Sequence, residues 1–133
     1  MKTVTIIVPA YNEQESLMPF YEETAKVMDS LTAYHFELLF INDGSTDDTQ
    51  QIIEQLAEKD SRVAYVELSR NFGKERAMLA GMDYAKGDCA VIIDADLQHP
   101  PHVIDEMTKW WEQGYDDVYA RRRTRGKEST LRR

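Results

Sequence analysis

The sequence predicts an α/β fold, a mostly parallel sheet with helices on both faces. Three observations carry this expectation. Short apolar, β-branched runs recur at residues 4–8, 36–41, 63–68 and 89–93, with a fifth candidate at 117–119. Segments with apolar side chains at helical spacing separate them. Polar clusters follow the apolar runs directly, and in such sheets ligands bind beyond the carboxyl ends of the strands.

Taken in order, Val4-Thr5-Ile6-Ile7-Val8 reads as a buried strand closed by Pro9. Asn12 is the expected cap of a first helix running to about Ser30, with Glu15 as the third-position partner of a capping box. Residues 36–41 form the second strand. Ser45 or Thr46 is the expected cap of a helix carrying Ile52, Ile53, Leu56 and Ala57. Residues 63–68 give a third strand, Asn71-Phe72-Gly73 a loop, and Ala77, Ala80 and Tyr84 a helix that stops at Gly87. The fourth strand, 89–93, holds Cys89 as a small buried hydrophobe. Pro100-Pro101 marks the start of a last helix, which ends before Gly114 and contains Trp110 and Trp111.

The 133 residues fit one domain. No apolar run is long enough to cross a membrane, the N-terminus does not read as a signal peptide, and one cysteine makes no internal disulfide. A reducing, cytoplasmic setting is the expectation. Net charge is −8, unevenly spread. Residues 121–133 carry seven cations against Glu128 alone, a net +6, which leaves −14 on residues 1–120. An acidic body argues against a nucleic-acid surface. The basic stretch reads as a solvated end or as a local site for phosphate.

Four polar clusters could carry chemistry. Tyr11 and Glu13 follow the first strand and could touch a base or ribose; the plain reading is a strand end and a helix cap. In 42–48, Asp47 and Asp48 suit a helix start, whereas Asp43, at the strand end before Gly44, can accept from a nucleobase N–H or ribose hydroxyls. In 69–75, Arg70 and Lys74 could reach phosphates, although surface cations are common. In 94–100, Asp94 and Asp96 would repel each other in a closed site, and a divalent cation resolves this. Asp96 and Gln98 offer hard oxygen ligands suited to magnesium or manganese. A solvated acidic turn is the bland alternative, and His99 is expected to pack or cap beside the prolines.

As a set, Val8-Pro9-Ala10-Tyr11-Asn12-Glu13, Asn42-Asp43-Gly44-Ser45-Thr46-Asp47, Ser69-Arg70-Asn71-Phe72-Gly73-Lys74 and Asp94-Ala95-Asp96-Leu97-Gln98-His99-Pro100 resemble family 2 of the inverting glycosyltransferases, which have the GT-A fold. Within it the chain looks most like the polyprenyl-phosphate glycosyltransferases, the group of dolichol-phosphate mannose synthase and the bactoprenol glucosyltransferases. The match runs over roughly residues 3–125.

The resemblance implies a Rossmann-like nucleotide-binding half, a UDP- or GDP-linked hexose donor, a divalent metal (Mg2+ or Mn2+) and a lipid-phosphate acceptor. Pro9, Tyr11, Glu13 and Asp43 match the positions that hold the nucleoside. Asp94 and Asp96 match the catalytic Asp-x-Asp motif, Asp94 facing the ribose or sugar phosphate and Asp96 with Gln98 binding the metal. Arg122 best matches the arginine for the acceptor phosphate. Residues 1–120 would form the donor-binding domain, and 121–133 a basic segment leading to an acceptor-binding part. Family catalytic domains are longer, so the chain is expected to be part of a membrane-associated enzyme of cell-wall or glycan synthesis at the cytoplasmic face.

Three other classes share parts of this pattern. A haloacid dehalogenase-type phosphatase also ends a strand in Asp-x-Asp, but it expects Thr or Val where Gln98 stands. A non-catalytic α/β module would make the Asp clusters caps and turns. A sugar-nucleotide pyrophosphorylase would need a glycine- and arginine-rich loop after the first strand, where Pro9-Ala10-Tyr11-Asn12 stands instead.

Overall fold

The computed structural model describes residues 2–95, 117–123 and 126–132. In chain order they form β1 (Lys2–Ala10), α1 (Leu17–Ser30), β2 (Tyr34–Asn42), α2 (Thr49–Lys59), β3 (Val63–Glu67), α3 (Lys74–Tyr84), β4 (Cys89–Ile92), β5 (Asp117–Arg123) and β6 (Gly126–Arg132). The helix expected after Pro100, with Trp110 and Trp111, lies outside the described residues, as does His99.

One sheet has the order β3-β2-β1-β4-β5-β6. The first five strands are mutually parallel and β6 runs antiparallel to β5. The chain steps outward from β1 through β2 to β3, then returns across β1 to β4. Right-handed crossovers then put α1 and α2 on one face and α3 on the other. The packing follows. Val4, Ile6 and Val8 of β1 meet Leu17 and Phe20 of α1 and Ile53 and Leu56 of α2. Ile7 of β1, with Leu39 and Ile41 of β2, meets Ala77 of α3. Consecutive β1 residues are therefore buried, as a parallel strand covered on both sides requires. At Gly81 a Cβ would stand 2.3 Å from Ile7 Cγ2, so the absent side chain lets α3 lie close to the sheet.

Several elements differ from the sequence reading. β1 continues through Pro9, which pairs in register with Ile41. Ile7 O accepts from Ile93 N–H on the β4 side, and Ala10 O accepts from Asp43 N–H on the β2 side. The ladder alternates, so the donor that Pro9 lacks falls on the β4 side, past the last β1–β4 pair, Ile7 with Ile92. Asn12 does not cap α1, and no capping box forms with Glu15. α1 starts at Leu17 behind Ser16, after a turn in which Ser16 and Leu17 N–H donate to Glu13 O. Neither Ser45 nor Thr46 caps α2, which starts at Thr49 behind Asp48. The freed polar side chains bond across to the neighbouring loop instead. The boundary expected at residue 120 falls within β5, and the basic stretch continues through β5 into antiparallel β6.

At the amino edge of the sheet, Asp60 accepts from the Arg62 guanidinium at 2.9 Å, from Arg62 N–H at 2.9 Å and from the Tyr21 hydroxyl at 2.8 Å. Arg62 also reaches Asp29 at 2.9 Å. The hydrogen bonds from Arg62, opposed by burial, lower the Asp60 carboxyl from 3.8 to about 2. A depressed carboxyl stabilises the fold in its charged form, here by about 2 kcal/mol at neutral pH. That contribution is complete above about pH 4 and is lost as pH falls towards 2. Asp60→Asn should therefore lower the unfolding midpoint by about 6 °C at pH 7 and by much less near pH 2.5, measured by scanning calorimetry. An equal drop at both pH values would contradict the assignment.

Candidate functional site

The carboxyl ends of β1, β2 and β4 converge where the strand order reverses. In parallel sheets of this kind a crevice opens at that reversal. A cleft of about 540 Å³ occupies this point, a size suited to a small organic ligand. The end of β1 supplies Pro9 and Ala10, the segment after it Tyr11 and Glu13, the segment after β2 Asp43, the loop before α3 Asn71 and Gly73, α3 Lys74, and the segment after β4 Asp94 and Ala95.

Asp43 is 4% exposed and organises one wall. Its carboxylate accepts from Phe72 N–H at 2.8 Å, Gly73 N–H at 3.0 Å and Asn71 Nδ2 at 3.2 Å. Asn71 Nδ2 also donates to Asp43 O at 3.2 Å. The next residue, Gly44, has φ +69°, and a Cβ there would stand 2.2 Å from the Arg70 carbonyl carbon. Only glycine lets the two loops approach so closely. Asp43 thus holds the α3 loop as well as facing the cleft.

Lys74 Nζ lies 2.6 Å from Asp94 Oδ1. Asp94 is 9% exposed, while Lys74, at the first turn of α3, is about half exposed. The ion pair spans twenty residues of sequence and places a cation and a carboxylate side by side on the cleft. Tyr11 is 45% exposed, its ring open to a ligand. Glu13 accepts from the Ser16 hydroxyl at 2.8 Å, which fixes its carboxylate beside the β1 end.

Of the residues expected from sequence, Pro9, Tyr11, Glu13, Asp43, Lys74 and Asp94 come together. Arg70 is not among the residues lining the cleft; its guanidinium stacks on the Phe72 ring at 4.6 Å. Asp96 and Gln98 lie outside the described residues. Arg122 lies in β5, three residues past Tyr119, the last β5 residue paired with β4, and so at the same edge of the sheet as the cleft. Asn71 also lines the wall; the sequence places it within the Ser69–Lys74 motif but assigns it no role of its own. Among the described residues, no group of three or more His, Cys, Asp or Glu is set to hold a metal ion. A cation in this cleft would draw ligands from residues 96–98 or from a bound phosphate. Glu13, Asp43 and Asp94 put carboxylate oxygens on the cleft, the hard donor type that suits magnesium or manganese.

The model of a family described as Glycosyl transferase family 2 matches residues 5–133. An uncharacterized glycosyltransferase, YkcC of Bacillus subtilis, is 45% identical over 129 residues, 97% of this chain and 40% of that protein. The bactoprenol glucosyl transferase of Shigella phage SfV is 42% identical over 130 residues, 98% of this chain and 42% of that protein. The chain thus spans about two-fifths of the length of these curated relatives. Among solved structures, the mannosyltransferase PcManGT from Pyrobaculum calidifontis, in complex with GDP-Man and Mn2+, matches with a TM-score of 0.67 at 27% identity. The match covers 80% of this chain and 31% of that one. The fold is the Rossmann-like half of the GT-A architecture.

Proposed function

The chain belongs to glycosyl transferase family 2, and on that premise we propose that it is the donor-binding part of an enzyme that moves a hexose from a UDP- or GDP-linked sugar to a polyprenyl phosphate. The observation that carries this reading is the convergence of Asp43, Lys74 and Asp94, from three separate segments, on one cleft at the strand-order reversal. The 42% identity to the phage bactoprenol glucosyl transferase supports the lipid-phosphate acceptor. The Mn2+ and GDP-Man in the mannosyltransferase complex support a divalent ion and a nucleotide-sugar donor.

In this reading Pro9, Tyr11, Glu13 and Asp43 hold the nucleoside. The Lys74 ammonium, beside Asp94, lies where the diphosphate would pass, and Arg70 has a role only if it leaves the Phe72 ring. Asp94 faces the ribose or sugar phosphate. Asp96 and Gln98 would hold the Mg2+ or Mn2+ ion, which supplies charge stabilisation for a departing diphosphate. The acceptor phosphate oxygen forms the new bond to the anomeric carbon with inversion, and the carbon–oxygen bond to the diphosphate breaks with its electron pair going to that oxygen. A phosphate acceptor is already anionic, so the site needs cations to steer it and no base to deprotonate it. Arg122, at the cleft edge of β5, is the candidate for that steering. The whole enzyme would act at the cytoplasmic face of a membrane. Of the rival classes, the phosphatase and the non-catalytic module, neither accounts for the match to the transferase family across residues 5–133.

The test is transfer by a protein of the relatives' full length carrying this sequence. With labelled UDP-glucose or GDP-mannose, Mn2+ and a short-chain polyprenyl phosphate, a polyprenyl-phosphate hexose of inverted anomeric configuration should form, read by mass and by NMR coupling at the anomeric proton. Retention of configuration, or transfer only to water, would contradict the proposal.

A further inference from the structure

The loops after β1 and β2 are tied together reciprocally. Asn12 N–H donates to Ser45 Oγ at 2.9 Å, and Thr46 N–H donates to Asn12 Oδ1 at 2.8 Å. One residue on, Glu13 N–H donates to Thr49 Oγ1 at 2.9 Å. Gln14 N–H donates to Asp47 Oδ2 at 3.4 Å, and Asp48 N–H donates to Gln14 Oε1 at 3.1 Å. Three consecutive amides of one loop thus end on side chains of the other, and two amides of the second loop end on side chains of the first.

Asn12 is the one non-glycine residue with positive φ among the described residues, at +52°. It is exposed, so burial does not dictate its conformation. Its two chain neighbours, Tyr11 and Glu13, both line the cleft. The loop it grips carries Asp43, whose carboxylate in turn holds Phe72 and Gly73. Adjacent loops of such a sheet need only touch; this pair is locked through a residue in a left-handed conformation that Asn and Asp tolerate better than most side chains.

We propose that Asn12 is a positioning residue for donor binding: its left-handed backbone and the hydrogen bond its side-chain oxygen accepts from Thr46 N–H set Tyr11 and Glu13 against the cleft and join them to the loop that carries Asp43. The inference rests on the nucleotide reading of the cleft. Asn12→Gly keeps the backbone conformation available and removes the amide. Asn12→Asp keeps both the conformation and an acceptor for Thr46 N–H. Asn12→Ala removes both.

Two readouts separate positioning from plain stability. The first is nucleoside diphosphate affinity at 25 °C with Mn2+. Asn12→Gly should weaken it about tenfold, while its unfolding midpoint stays within about 2 °C of the parent, as for an exposed substitution. The second is amide hydrogen exchange without ligand. Exchange at Thr46 should quicken in Asn12→Gly and Asn12→Ala and stay slow in Asn12→Asp. Unchanged affinity in Asn12→Gly, or unchanged exchange at Thr46 in that variant, would overturn the proposal. If the parent chain takes up no nucleotide, the functional reading fails, and the exchange arm alone then judges whether Asn12 locks the two loops.

Discussion

Asp43→Ala should lower the unfolding midpoint by about 10 °C, the largest fall of any single substitution at the cleft. The carboxylate accepts two backbone N–H groups and one side-chain amide from the loop before α3, and it is almost fully buried. Alanine leaves those donors without a partner. A buried donor so orphaned costs about 1–3 kcal/mol; allowing for water reaching the open side, the total is about 3 kcal/mol. In a chain of this length that corresponds to about 10 °C. Asp43→Asn should fall between, because donors reach both carboxylate oxygens and a carboxamide offers only one acceptor. Nucleotide affinity should fall further than the stability loss alone implies, since the freed loop carries Gly73 and leads into Lys74. A midpoint within about 2 °C of the parent in Asp43→Ala would show that the loop is held by something else.

Asp94→Ala, in a protein of the relatives' full length, should lower the turnover number for transfer by about 100-fold or more, in line with removing one group aimed at developing charge. Lys74→Ala should weaken donor binding, seen as a rise in KM with a smaller loss of turnover. The two side chains share one contact of 2.6 Å. Their effects should therefore not add, and the double variant should lose less than the product of the two single losses. Strict multiplication would mean that the pair does not act as a unit.

The fold was largely legible because parallel strands buried on both faces leave an unmistakable mark. Val4-Thr5-Ile6-Ile7-Val8 and Phe40-Ile41 are apolar without alternation, and only a sheet covered on both sides buries them all. The ends of elements were less legible. Pro9 looked like a stop, yet its missing donor points past the end of β4 and costs the ladder nothing. Asn12, Ser45 and Thr46 looked like helix caps because each can bond a nearby amide. Their actual partners lie 33 or 34 residues away, and residue type alone does not choose between a local and a distant donor. The cleft residues Asp43, Lys74 and Asp94 were legible from the rule that ligands bind at strand carboxyl ends. The Lys74–Asp94 ion pair was not, since it depends on α3 crossing back over β1. The stacking of Arg70 on Phe72 was not legible either, since a long cation beside an aromatic ring can stack on it as readily as reach a phosphate.

The cleft between β1, β2 and β4 should bind a nucleoside diphosphate together with a divalent ion. Thermal unfolding of this chain with UDP, GDP, UDP-glucose and GDP-mannose, each with and without Mn2+, tests it most directly. Ligand at a hundred times its dissociation constant stabilises by about 2.7 kcal/mol, a rise of about 10 °C for a chain of this size. Such a rise should appear for one base, only when Mn2+ is present, and should be lost in Asp96→Ala. No rise with any of the four ligands, or one that persists without Mn2+ and in Asp96→Ala, would contradict it.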